Sequence, residues 1–139
     1  MSIAKTFKID AAMLLFFIIT VVSGVEFHVL HHSANHNALR LWYILHMAGS
    51  GIFFILAVWH IKLHWGWYKG LVKPSKKRRH PTIILSVLFI VESVTAVLKL
   101  VGMHHPIGKI HWFGGLLFTI FAIAHLIRRF RIFTNGLKG

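Results

Sequence analysis

The sequence predicts an all-α integral membrane protein, a four-helix up-and-down bundle with both termini in the cytoplasm. Three observations predict it. Hydrophobic residues make up 56% of the 139 positions, while three carboxylates (Asp10, Glu26, Glu92) stand against sixteen Lys and Arg, too little mixed polar surface for a water-soluble fold. The apolar residues gather into four runs, each near the ~20 residues that cross a bilayer as a helix. The cations collect at the ends of those runs. A formal charge of +13 without that placement would point to nucleic acid; with it, the partner is membrane lipid and no nucleic acid.

Taken in order, the first span covers about 11–31. Its approach, "MSIAKTFKIDAAMLLFFIITVVSG", also resembles a secretory signal, with Ser23 and Gly24 where cleavage would fall, and the expectation is a retained helix. The second span, about 39–61, follows "HHSANHNALR"; the third, about 81–103, follows "KGLVKPSKKRRH"; the fourth, about 108–127, follows "GMHHPIGK". Pro and Gly mark the last two connectors as loops. Each span is helical because a backbone in lipid must satisfy its own hydrogen bonds. No linker divides the chain, so residues 1–139 form a single four-span domain.

Orientation follows the cations. Lys5 and Lys8 precede the first span; Lys62, Lys69, Lys73, Lys76, Lys77, Arg78 and Arg79 adjoin the end of the second; Arg128, Arg129, Arg131 and Lys138 follow the fourth. Only Arg40, Lys99 and Lys109 lie on the other side. The termini and middle loop therefore face the cytoplasm of a bacterial inner membrane, with "KPSKKRRH" as topology determinant and anionic-lipid contact. The tryptophans fall mostly near span ends, where interfacial belts form.

Cysteine is absent, which excludes disulfides, thiolate-bound clusters and covalently attached haem. Histidine is abundant and patterned. "HMAGSGIFFILAVWH" (46–60) aligns with "HWFGGLLFTIFAIAH" (111–125), matching at His46/His111, Gly49/Gly114, Phe53/Phe118, Ile55/Ile120, Ala57/Ala122 and His60/His125. Fourteen residues are four turns at 3.5 residues per turn, so each histidine pair shares one inward face, ~21 Å apart along the axis. Spans two and four run in the same direction and are diagonal neighbours in such a bundle. Two levels result, His46 opposite His111 on the outer side and His60 opposite His125 on the inner side. Haem needs that geometry, a flat macrocycle with an axial nitrogen from either side. Gly49, Gly51, Gly114 and Gly115 lie near the outer histidines, where a missing side chain lets a porphyrin face approach; Gly24 offers the same from span one.

These paired histidine helices, second and fourth of four, resemble the haem-carrying half of respiratory cytochrome b. In size and in "LHMAGSG…HIKLHW" and "IHWFGG…AHL", the chain is more similar to small prokaryotic four-helix di-haem cytochromes b, of the cytochrome b-561 type and of the membrane anchors of formate dehydrogenases and hydrogenases. The resemblance covers about residues 11–130. It implies that His46, His60, His111 and His125 are the axial iron ligands of two b-type haems (protohaem IX), with His28 the best substitute. Bis-imidazole ligation leaves iron no open position, so electron transfer is the chemistry that remains. A wire needs a donor and an acceptor: the expected partner is a redox subunit (dehydrogenase, flavoprotein or multihaem cytochrome), and exchange with menaquinone or ubiquinone and a homodimer both stay open. The chain is then an electron-transfer subunit of an oxidoreductase rather than a complete enzyme.

Other polar groups have more than one reading. His64, one turn beyond His60, and Arg129, its counterpart in span four, are expected to meet haem propionates, against interfacial residues with no role; His60 and His64 also have the i, i+4 spacing of a small-metal site. His28, His31, His32, His36, His104 and His105 gather at the outer side, as a propionate-binding and proton-exchanging rim, as a docking surface for a redox partner, or as interfacial residues without a role. Glu92, in mid-span, is a candidate for proton movement or for enriching an imidazole through a hydrogen bond, against a neutral structural carboxyl. Glu26 has the first of these readings beside an outer quinone. The alternative function is a haem-free carrier or channel for a transition metal, with the histidines as stepping sites.

Overall fold

A computed structural model describes residues 3–31, 35–70, 80–103 and 105–137. Among them the regular structure is helical throughout: α1 (Ile3–Leu30), α2 (His36–Leu63), α3 (Trp65–Lys69), α4 (His80–Leu100) and α5 (Ile107–Leu137). Four helices are long and apolar enough to cross a membrane, over Thr6–Leu30, His36–Leu63, Pro81–Leu100 and Ile107–Phe130. The histidines at 32 and 104 and the run 71–79, which carries most of the basic loop, lie outside the described residues.

The helices differ from the apolar runs at their ends, each for a local reason. α1 begins well before residue 11, because Lys5, Lys8 and Asp10 end the hydropathy without ending the helix; neither Gly nor Pro stands among residues 3–10. α2 begins at an Asn35 cap whose side chain accepts from the Ala38 N–H at 3.1 Å. It closes at His64, and a short aromatic helix, α3, resumes at once, with Trp65 and Trp67 both against Tyr68. α4 stops at Leu100, earlier than expected, because Gly102 takes φ +93°, the left-handed region that favours glycine. Its N–H donates to the Lys99 carbonyl and that of Met103 to the Leu98 carbonyl, the paired bonds of a Schellman end. α5 continues past Arg128 and Arg129, since charge stops a membrane span but not a helix.

The chain folds as two compact units, Met1–Val72 and Lys73–Lys138. In the first, α1 and α2 form an antiparallel hairpin: Phe27 meets Tyr43, Gly24 meets His46, Phe17 meets Phe53, and Asp10 meets His60. Positions 10, 17 and 24 of α1 face positions 60, 53 and 46 of α2 in antiparallel order, both series at heptad spacing, so the seam follows the 3.5-residue period of left-handed helix pairs. In the second unit α4 and α5 pair likewise, with Phe89 against Phe118 and Glu92 against His111 and Gly114. Beyond the seams, large apolar side chains are exposed: Leu15, Ile18, Val22, Val25 and Val29 make one continuous stripe along α1. In water such a stripe is costly; in hydrocarbon it is the proper surface of a span.

Candidate metal-ligating site

His46 and His60 lie on one face of α2, as their spacing predicts, and both turn toward α1. The His46 Nδ1 is 3.0 Å from the Thr20 carbonyl oxygen and 3.5 Å from the Ser23 hydroxyl. A carbonyl only accepts, so Nδ1 carries the proton and donates. Ser23, the most buried side chain described, commits its own proton to the Ile19 carbonyl at 2.6 Å and therefore also accepts from the imidazole. The ring has room because of Gly24. A Cβ there would stand 2.9 Å from the His46 Cε1 and 3.0 Å from Nδ1. The glycine expected to admit a porphyrin thus admits the imidazole itself.

At the other end of the same face, His60 Nδ1 donates to Asp10 Oδ1 at 2.7 Å, a hydrogen bond in which both side chains are half-buried. His64, exposed at the α2 terminus, packs its ring 4.6 Å from that of His60. Asp10, His60 and His64 bring one ligand atom each to within 4.8 Å of one another, a three-donor cluster able to hold a metal ion. His64 therefore meets His60 and Asp10. Asp10 had no role by sequence; its signal was there in the heptad step from Gly24 through Phe17 to residue 10.

On α5, His111 Nδ1 is 3.0 Å from the Thr95 hydroxyl and 3.0 Å from Glu92 Oε2. Thr95 is buried and gives its own proton to the Val91 carbonyl at 2.9 Å, so here too the imidazole is the donor. Gly114, one turn on, lies directly against the Glu92 carboxyl. Gly49, its counterpart on α2, is buried against Ile19. His125 lies half-buried on α5, fourteen residues from His111. His28 is exposed in the last turn of α1, and Arg129 is exposed on α5.

One chemical rule covers the three histidines with resolved Nδ1 partners. In each, Nδ1–H points to an acceptor of the preceding helix, which places the lone pair of the neutral ring on Nε2. That is the tautomer and the outer-shell arrangement of a metal-ligating histidine, whose second N–H is held by a carbonyl or carboxylate. The donor set fits haem iron, which takes neutral imidazole nitrogen as axial ligand. No family model, curated protein or solved structure matches this chain.

Proposed function

We propose that this chain is a di-haem b-type cytochrome of the bacterial cytoplasmic membrane, four spans with both termini in the cytoplasm, working as the electron-transfer subunit of a larger redox complex. His46, His60, His111 and His125 are the axial ligands. The observation that carries the reading is the common anchoring of Nδ1 in His46, His60 and His111, added to the fourteen-residue spacing that sets each pair on one helix face. When bound, b-type haem with two imidazole ligands supplies one-electron transfer without an open coordination position.

The chain's own residues supply the rest. Thr20, Ser23, Asp10, Thr95 and Glu92 hold the imidazoles in one tautomer and one rotation. Gly24 lets the His46 ring lie against α1. The apolar seams, Phe17 against Phe53 in one hairpin and Phe89 against Phe118 in the other, keep water from the histidines of their own helix pairs, and burial is one of the protein's means of setting a haem potential. The electron donor or acceptor is a partner subunit carrying flavin, iron–sulfur or haem groups, with quinone as the membrane-soluble exchange partner.

The test is a reduced-minus-oxidised absorption spectrum of the purified protein with a pyridine haem assay. Two b-type haems per chain are expected, and His60→Ala should lose one and keep the other. A colourless, folded protein prepared with ample haem overturns the reading. One observation favours a second reading, a haem-free carrier or channel for a transition metal: the Asp10, His60 and His64 cluster, whose nitrogen and carboxylate donors suit a divalent first-row ion. A colourless protein that binds about one equivalent of zinc, lost in Asp10→Ala and His64→Ala, would select it.

A further inference from the structure

The two hairpins repeat more than the histidines, and the repeat gives each position of one an internal control in the other. Phe17 on α1 meets Phe53 of α2, as Phe89 on α4 meets Phe118 of α5. The buried hydroxyl of Ser23 faces His46 Nδ1, as the buried hydroxyl of Thr95 faces His111 Nδ1. The repeat glycines complete the pattern. A Cβ on Gly49 would stand 3.0 Å from the Ile19 Cγ2, whereas a Cβ on Gly114 would collide with the Glu92 Oε1. By the register of those two pairs Glu92 stands where Thr20 stands on α1, and the Cβ on Gly49 would also lie 3.5 Å from the Thr20 Oγ1, so Ile19 and Thr20 together fill against Gly49 the seat that Glu92 fills against Gly114.

Packing explains Ile19 and Thr20 in that seat, the threonine hydroxyl donating to the Phe16 carbonyl at 2.7 Å, and does not explain a glutamate. The carboxyl is deeply set, and its Oε1 is buried with no hydrogen-bond partner among the described residues, a costly arrangement in an apolar segment. What the substitution gains is Oε2, 3.0 Å from His111 Nδ1. His46, whose seat holds Ile19 and Thr20, has neutral acceptors on Nδ1, the Thr20 carbonyl and the Ser23 hydroxyl. His111 has a hydroxyl and a carboxyl.

We infer that Glu92 is a positioning residue for His111: seated against Gly114, its carboxyl holds the imidazole in the Nδ1–H form and strengthens Nε2 as an electron donor, making His111 and His46 unequal ligands. The inference rests on the cytochrome reading for its redox consequence and on the hairpin geometry for the tautomer. A carboxylate acceptor draws the Nδ1 proton more strongly than a neutral one, and the extra electron density reaches Nε2. A stronger donor favours ferric over ferrous iron, so the haem bound by His111 has the lower potential for it.

A variant that should fold is Glu92→Ile, which sets beside Gly114 the kind of side chain that Ile19 sets beside Gly49. Wild type, Glu92→Ile, Glu92→Gln and Gly114→Ala, purified with haem, are compared by haem content and by potentiometric titration of the α-band. The expected result is two haems per chain, one midpoint potential raised in Glu92→Ile and less in Glu92→Gln, and the other unmoved. Gly114→Ala, which pushes the carboxyl away while keeping it, raises the same potential. Weaker retention of that one haem, roughly 10-fold or more, would be the same effect read as affinity. Wild-type potentials and haem content in Glu92→Ile overturn the inference and leave the cytochrome reading standing. A second measurement needs no haem: nitrogen-15 spectra of histidine-labelled apoprotein should show His111 in the Nδ1–H form, with Nε2–H gaining in Glu92→Ile. Unchanged tautomers there overturn the positioning role, and a wild type without haem overturns the function instead.

Discussion

At the scale of residues, this protein turns on which ring nitrogen of each histidine holds the proton. A histidine inside a span is costly unless its polar atoms are engaged, and here the preceding helix engages Nδ1 with a carbonyl, a hydroxyl or a carboxylate. The seat of His46 depends on one absent side chain. Gly24→Ala sets a Cβ 2.9 Å from the ring and should destabilise the hairpin by about 1–3 kcal/mol, as overpacking does. Thermal unfolding in detergent measures that cost, and the haem assay should show one haem weakened in the same variant. The glycine itself was legible in the sequence as a place for close approach. What approaches it was not, because a missing side chain states that room exists and says nothing of the occupant.

At the scale of elements, the hairpins are set by seams and by ends. The α1–α2 seam is a heptad series on both helices, so a histidine spacing of fourteen returns to the same partner helix, and one spacing determines the direction of both imidazoles. The helix ends are separate local devices. Gly102→Ala forces an L-residue into a left-handed conformation at φ +93° and should cost about 1–2 kcal/mol. Asn35→Ala removes the α2 cap, at about 1 kcal/mol. Denaturant titration of the two variants should show both losses, and in the double variant they should add, since the sites lie in different units. Hydropathy misplaced these boundaries because it reports where lipid ends, whereas caps and turn glycines report where the helix ends.

At the scale of the whole molecule, charge decides direction. The cations cluster beside residues 1–10, 62–79 and 128–138, and the absence of cysteine makes the expected topology easy to test. Single cysteines at Ser75 and Asn37 should react with a membrane-impermeant maleimide from opposite sides, Ser75 only in inverted vesicles and Asn37 in intact spheroplasts. Equal labelling from one side would reverse or break the four-span order. Reversing charge in the middle loop, by replacing Lys76, Lys77, Arg78 and Arg79 with Glu or Ser, should give a mixed topology measurable by the same labelling.

The sequence by itself determined the helical class, the four spans, the histidine faces and the repeat, because these depend on periodicity, length and charge, which one strand of text carries in full. Tertiary structure alone decided the acceptors: that Asp10 meets His60, that Thr20 and Ser23 hold His46, and that Glu92 lies against Gly114 while Ile19 and Thr20 lie against Gly49. The physical reason is range. A helix face follows from the spacing of its own residues, whereas a hydrogen bond between helices depends on the register of two segments whose partners lie tens of residues apart.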